Sequence, residues 1–312
     1  MSELLEARSI SKAYQIKSGL LGTAVTSVLH DISFKLGSGQ ILAVVGESGS
    51  GKSTLARQVV MLEQPDSGEM FLEGIPYASC SDLHQRIRMI FQNPIASLNP
   101  RKRVYQLLEE PLINYKNLSR SERDDIIYQT LEQVGLDRDQ SQLYPHMFSG
   151  GQRQRVAISR ALVLQPQVIV ADEAVSALDV SVQAQILNLM MDLRDELGMS
   201  WFFITHDISV VNVIADRVLV LYAGRVMETG SVKQVLETPA HPYTQKLLRS
   251  VPVAGNTRAL INGDLSTAGD VITSASSCVY WNKCPLADSR CVKSVPPMIN
   301  LDNRLVACFK VG

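Results

Sequence analysis

Residues 40–53 read Gln40-Ile41-Leu42-Ala43-Val44-Val45-Gly46-Glu47-Ser48-Gly49-Ser50-Gly51-Lys52-Ser53, an apolar run that breaks into glycines and then enters a helical pattern. A buried strand feeding a helix is written this way. The last eight residues match G-x-x-x-x-G-K-[ST]. The glycines let successive backbone N–H groups curl around a phosphate chain, and the N-terminus of the following helix adds partial positive charge. In this pattern Lys52 reaches the β- and γ-phosphates, and the Ser53 hydroxyl ligates Mg2+.

Similar apolar runs recur at 168–171, 201–205 and 218–222. Amphipathic helical segments lie between them. Residues 119–134 open with the capping-box pattern Ser119-x-x-Glu122, place Ile126, Ile127, Leu131 and Val134 on one face, and meet Gly135 where a C-cap glycine falls. Residues 182–197 repeat the helical period through Ile186, Leu189, Met190, Leu193 and Leu197, with Gly198 behind them. Strands alternating with helices predict an α/β fold with a mostly parallel sheet. Residues 78–150 read as mainly helical, an inserted subdomain. The run 168–171 ends in Asp172-Glu173. A phosphate-binding loop calls for a magnesium- and water-positioning carboxylate at a neighbouring strand end, and this run supplies it: Asp172 to hold Mg2+, often through water, and Glu173 to accept the proton of the attacking water.

The chain has 312 residues, enough for one large domain with an appendage or for two domains. Hydrophobic residues make up 46% and charged residues 20%, which supports a sizeable core and excludes global disorder. Thirty basic residues against 31 acidic ones exclude a polycationic nucleic-acid coat and general adhesion to anionic lipid. There is no apolar run of membrane-spanning length, and Met1–Ser9 carries two glutamates before its first arginine, so the chain is expected to be cytosolic.

Residues 148–161, Phe148-Ser149-Gly150-Gly151-Gln152-Arg153 and onward, resemble the signature motif of ATP-binding-cassette ATPases. Gln92 in Phe91-Gln92-Asn93-Pro94 resembles that family's Q-loop, Ser176-Ala177-Leu178-Asp179 its D-loop, and His206 its switch histidine. Order and spacing match over about residues 5–250. Within the family, Asn93–Pro100, Tyr144-Pro-His-Met-Phe148 and His241-Pro-Tyr-Thr244 are similar to the ATPase subunits of dipeptide and oligopeptide uptake transporters. Nickel, antimicrobial-peptide and chito-oligosaccharide importers share the pattern.

This resemblance implies an ATPase domain over 1–252 with an antiparallel β subdomain and a helical insertion at about 93–160. A linker and a small cysteine-bearing tail follow over 253–312. It implies ATP with Mg2+ as ligands, held by the loop 46–53 and by Thr54, Gln92, Ser149, Gly150, Gly151, Gln152 and Asp179, with Tyr14 stacked on adenine. Gln92 touches Mg2+ or water, and His206 contacts the γ-phosphate. Ser149, Gly150 and Gly151 form an anion site at a helix start with no phosphate in their own loop. The family resolves this by a head-to-tail dimer that sandwiches two ATP molecules. The implied partners are a second, related ATPase subunit, two permease subunits and, indirectly, an extracytoplasmic substrate-binding protein, on the cytoplasmic face of a bacterial inner membrane. No nucleic acid is implied; a non-transport cassette protein or a redox sensor is the competing class. One departure is Ala174, where the family usually has proline after the Asp-Glu pair.

Of five cysteines, four come late: Cys278, Cys284, Cys291 and Cys308, spaced C-x5-C-x6-C-x16-C. In a reducing compartment such a group points to a metal site rather than disulfides. Structural zinc prefers tighter pairs. The wider spacing suits a [4Fe–4S] cluster, which related tails carry, with zinc or free thiols as the other readings. Cys80 stands apart and reads as a small apolar residue.

Overall fold

The computed structural model describes residues 3–18, 22–93, 97–250 and 276–311. Residues 253–275 of the linker read at about 253–277, and residues 94–96 of the Asn93–Pro100 stretch, lie outside the described residues. The strands are β1 Glu3–Ser18, β2 Gly22–Gly37, β3 Ile41–Val45, β4 Ser67–Leu72, β5 Ile75–Pro76, β6 Ile87–Ile90, β7 Val168–Asp172, β8 Ser200–Ile204, β9 Arg217–Tyr222, β10 Arg225–Ser231, β11 Ile299–Leu301 and β12 Arg304–Val306. The helices are α1 Lys52–Val59, α2 Leu83–Arg86, α3 Val104–Tyr115, α4 Arg120–Gln133, α5 Gly150–Leu162, α6 Val180–Leu197, α7 Ile208–Ile214, α8 Val232–Glu237, α9 Pro242–Arg249 and α10 Ser289–Lys293.

The strands form two sheets. An antiparallel sheet has the order β2-β1-β4-β5, and the core sheet has the order β11-β12-β10-β9-β3-β8-β7-β6. Its centre, β9-β3-β8-β7-β6, is parallel. The central strands β3, β7 and β8 are buried on both faces, so alternate residues enter different cores. Ile169, Ala171, Trp201 and Phe203 face a core made with α3 to α6. Val168, Val170, Phe202 and Ile204 face a second core with α1 and the antiparallel sheet. The fully buried Trp201, Phe202 and Phe203 each stabilise the sheet by roughly 2–3 kcal/mol on apolar area alone.

The α/β architecture expected from the sequence is the one observed. Helix α4 is capped as its sequence requires, with Ser119 accepting from the Glu122 N–H and Glu122 reaching back to the Ser119 N–H. Helix α6 ends at Gly198 in the left-handed conformation. The stretch 78–150 is not helical throughout. Strand β6 lies inside it and pairs in parallel with β7; four residues are too few to show a strand period beside helical neighbours. In the cysteine-bearing tail, β12 pairs with β10 and extends the core sheet.

Candidate functional site

Strand β3 delivers the loop 46–51 to the N-terminus of α1. Ser50 N–H donates to the Glu47 carbonyl at 3.2 Å, and Gly224 N–H donates to the Ser50 carbonyl at 2.9 Å, so the loop is closed on itself and tied to the β9–β10 turn. Gly46 is required by sterics: a Cβ there would stand 2.0 Å from the Leu221 carbonyl oxygen. The first turn of α1 has no side-chain cap and no acidic residue, which leaves its amides available to an anion. Lys52 is buried, and its ammonium donates to the Gly46 and Glu47 carbonyls at 2.9 Å each. Burial lowers its pKa, opposed by the nearby charges of Glu173, Asp172 and Glu47.

The C-terminal ends of three neighbouring parallel strands complete the site, as they do in open α/β sheets. At the end of β7, Asp172 Oδ1 accepts from the Ser53 hydroxyl at 3.2 Å. Burial raises the Asp172 pKa, the Ser53 hydrogen bond lowers it, and the adjacent Glu173 charge raises it further. Such a pair is suited to a divalent cation, which would relieve the desolvated carboxylate. Glu173 follows with φ +47°, the left-handed region that a non-glycine residue rarely adopts. Its N–H is fixed to the Ile204 carbonyl at 3.0 Å. Its carboxylate accepts from Gln92 Nε2 at 2.8 Å and stands 3.3 Å from His206 Nδ1. Gln92 follows β6, Glu173 follows β7 and His206 follows β8. The turn after Glu173 is closed without the usual proline: the Ser176 N–H and hydroxyl both donate to the Glu173 carbonyl, at 3.2 and 2.9 Å.

The other sequence-derived residues lie around this group. The Tyr14 hydroxyl is held by Glu63 and also bonds the Thr54 side chain, beside α1. Ser48 and Gly49 line the outer side of the loop, facing Thr26, Ser27 and Tyr222 across a cavity of about 200 Å³. Ser149 caps α5, accepting from the Gln152 N–H while Gln152 reaches back to the Ser149 N–H. Gly151 packs on α6, where a Cβ would stand 2.5 Å from Val182 Cγ1, and Asp179 caps that same helix through the Val182 N–H. The structure thus brings Lys52, Ser53, Gln92, Asp172, Glu173 and His206 together. It places Ser149–Gln152 and Asp179 as a second unit on the helical layer.

The expectation of a cluster site at the late cysteines meets a different result. All five thiols are free. Cys278, Cys291 and Cys308 are buried and Cys284 is half-buried. Burial raises the pKa of Cys278, Cys284 and Cys308, and the neighbouring thiols raise it further. Yet among the described residues no three His, Cys, Asp or Glu side chains are grouped to hold a metal ion. The spacing gave four soft ligands on one tail, but only their packing decides whether they close on one point.

Sequence reasoning used His241-Pro-Tyr-Thr244 only as a mark of resemblance. In the fold it is part of the site: the Tyr243 hydroxyl accepts from the Glu47 N–H at 3.0 Å. His241 caps α9 by accepting from the Tyr243 N–H, with Pro242 at the first helical position. A histidine N-cap followed by proline was the available signal.

Comparison with known proteins matches this geometry. The family pattern described as ABC transporter matches residues 29–176, and the pattern described as oligopeptide/dipeptide transporter, C-terminal region, matches residues 227–291. A dipeptide transport ATP-binding protein of Haemophilus influenzae is 45% identical over 319 residues, covering 99% of this chain and 97% of the relative. That of Escherichia coli is 44% identical, covering 99% and 94%. An oligopeptide transport ATP-binding protein of Bacillus subtilis is 40% identical, covering 94% and 92%. Among solved structures, cbiO1 of Clostridium perfringens, part of an ABC transporter complex, superposes with TM-score 0.66 at 28% identity over 76% of this chain and 92% of its own. A dimeric ATP-binding cassette in a post-hydrolysis state with ADP and phosphate superposes with TM-score 0.64 at 29% identity, covering 73% and 99%.

Proposed function

Because this chain belongs to the ABC-transporter ATP-binding proteins, in the branch that carries the oligopeptide/dipeptide transporter C-terminal region, we propose that it hydrolyses ATP to power peptide uptake across a bacterial inner membrane, working at the cytoplasmic face. The observation that carries this reading is the Glu173 carboxylate, bridged by Gln92 and His206 beside the Ser53–Asp172 pair.

In this reading Lys52 leaves the loop carbonyls for the β- and γ-phosphates, and the amides of residues 48–53 cradle the phosphate chain. Ser53 and Asp172 would hold Mg2+, which would supply neutralisation of phosphate charge. Glu173 accepts a proton from the attacking water as the oxygen bonds to the γ-phosphorus and ADP leaves. His206 stabilises the charge that develops on the γ-phosphate, and Tyr14 stacks on the adenine. Ser149, Gly150, Gly151 and Gln152 serve the ATP of a partner subunit, with Asp179 at the same seam. The dimer named for the solved cassette supports that arrangement. The partner is a related ATPase, and both dock on two permease subunits fed by an extracytoplasmic binding protein.

For the tail, a [4Fe–4S] cluster on Cys278, Cys284, Cys291 and Cys308 is our reading. Its support is the donor set alone: four free thiols on one tail, three of them buried. Such a cluster would supply redox-active iron and would lock the tail. Anaerobically purified protein should show the broad visible absorbance of iron–sulfur and about four irons per chain, whereas colourless protein without iron would end this assignment.

The functional test is uptake of labelled dipeptide by cells lacking the gene, complemented with wild type or with Glu173→Gln. Restoration by wild type alone supports the peptide motor. Uptake independent of the gene, with ATP hydrolysis by the purified complex intact, redirects the cargo to sugars, metals or cationic peptides.

A further inference from the structure

A path of buried aromatic rings leads from the cysteine-bearing tail to the phosphate loop. Tyr280 belongs to the turn that carries two of the late cysteines: the Trp281 N–H donates to the Cys278 carbonyl and the Cys284 N–H to the Trp281 carbonyl, at 3.1 and 3.3 Å. Its ring meets Tyr243 edge-on at 5.4 Å and Tyr222 at 5.3 Å, and the rings of Tyr222 and Tyr243 lie 4.5 Å apart. Tyr243 and Tyr280 are 0% and 1% exposed, so neither ring moves without displacing the others. At the far end, the Tyr243 hydroxyl holds the Glu47 N–H, the second residue of the phosphate loop. Tyr222 ends β9 and lines the outer side of the same loop.

Neither end of this path floats. His241 lies 6.0 Å from Tyr280 and accepts from the Tyr243 N–H, and it also bonds the backbone of Ala307 in the tail. The buried Glu228 accepts from the Ala240 and His241 N–H groups and pairs with Arg304 of β12. The start of α9 and the tail are thus held by one network, and the hydroxyl at its end meets backbone that must embrace phosphate.

We propose that Tyr243 is a positioning residue for the phosphate loop, and that the Tyr222–Tyr243–Tyr280 stack makes ATP affinity depend on the packing of the thiol tail. The proposal rests on the reading that this loop binds ATP. It assigns the tail a regulatory task beyond ligand holding: any change at Cys278 or Cys284 that shifts Tyr280 is transmitted to Glu47.

The test is a double-mutant cycle on the purified full-length subunit, with MgATP binding by calorimetry as the readout. Tyr243→Phe keeps the ring and removes the hydroxyl. It should weaken MgATP about fivefold, the size of one neutral hydrogen bond, raise KM with kcat at saturation unchanged, and leave Tm within about 2 °C. Tyr280→Phe, which keeps the ring, should bind as wild type does. Tyr280→Leu should weaken binding in the wild-type background and add nothing in the Tyr243→Phe background. Unchanged affinity in Tyr243→Phe overturns the positioning role. Additive effects of Tyr243→Phe and Tyr280→Leu, or none from Tyr280→Leu, overturn the link to the tail. Wild-type protein that fails to bind MgATP overturns the underlying reading, a result distinct from all of these.

Discussion

The Glu173 carboxylate is held by Gln92, whose amide nitrogen donates to Oε2 at 2.8 Å. The two residues are 81 positions apart in sequence. The bond ties the carboxylate proposed to take a proton from water to the loop that follows the edge strand β6, and His206 stands on its other oxygen at 3.3 Å. A single carboxylate therefore reports on two loops.

Glu173→Gln keeps the size of the side chain and one oxygen acceptor but removes the charge that draws a proton from water. MgATP affinity should stay within about threefold of wild type while turnover falls by about 100-fold or more, in keeping with loss of a general base. Phosphate release alongside equilibrium ATP binding checks this. Turnover near the wild-type rate would remove Glu173 from the base role.

Lys52 is buried with its ammonium on two backbone carbonyls, and desolvation opposes its charge. Lys52→Ala should therefore leave Tm nearly unchanged while weakening ATP about 100-fold, the loss of charge-assisted contacts of about 3 kcal/mol. Thermal melts with and without MgATP separate the two effects. A large drop in Tm without nucleotide would mean that Lys52 is chiefly structural.

Gly151 has no room for a methyl group, because Val182 Cγ1 stands 2.5 Å from where the Cβ would be. Val182 is β-branched and stiff in its helix, so Gly151→Ala should push apart the starts of α5 and α6 and lower ATPase activity of the assembled complex severalfold. Gly151→Ala combined with Val182→Ala restores the space and should recover most of it. No recovery would place the cost elsewhere than in this contact.

His241 is 2% exposed and its pKa is lowered from 6.5 to about 4 by burial. The unfolded chain takes up this proton near pH 6.5 and the folded chain only near pH 4. Its contribution to stability is thus complete above pH 6.5 and is lost as pH falls through that window, by up to about 1.4 kcal/mol per pH unit. Denaturant titrations at pH 7.5, 6 and 5 should show a shallower loss in His241→Asn, whose amide oxygen can still accept from the Tyr243 N–H. Equal losses in both proteins would exclude His241 as the source.

Local chemistry made much of this protein legible in one dimension. The loop 46–53 could be read because its function is carried by consecutive backbone amides, which need glycines in fixed order. Helix α4 could be read because Ser119 and Glu122 cap it within one turn, and α6 because Gly198 relieves the left-handed residue that ends it. Asp172 and Glu173 could be found because an apolar run that closes on two adjacent carboxylates marks a strand end.

Tertiary structure decided everything that depends on which strands are neighbours. The order β3-β8-β7-β6 sets Gln92, Glu173 and His206 side by side, although no local pattern joins them. The same holds for the Tyr243 hydroxyl on the Glu47 N–H, 196 residues away, and for β12, whose ladder with β10 draws the cysteine-bearing tail into the core sheet. Capping and loop conformation are settled by residues within a turn of one another, so the sequence states them outright. A sheet ladder and a buried ring stack stabilise only after distant segments have excluded water between them, and that partner choice is written in no single stretch of the chain.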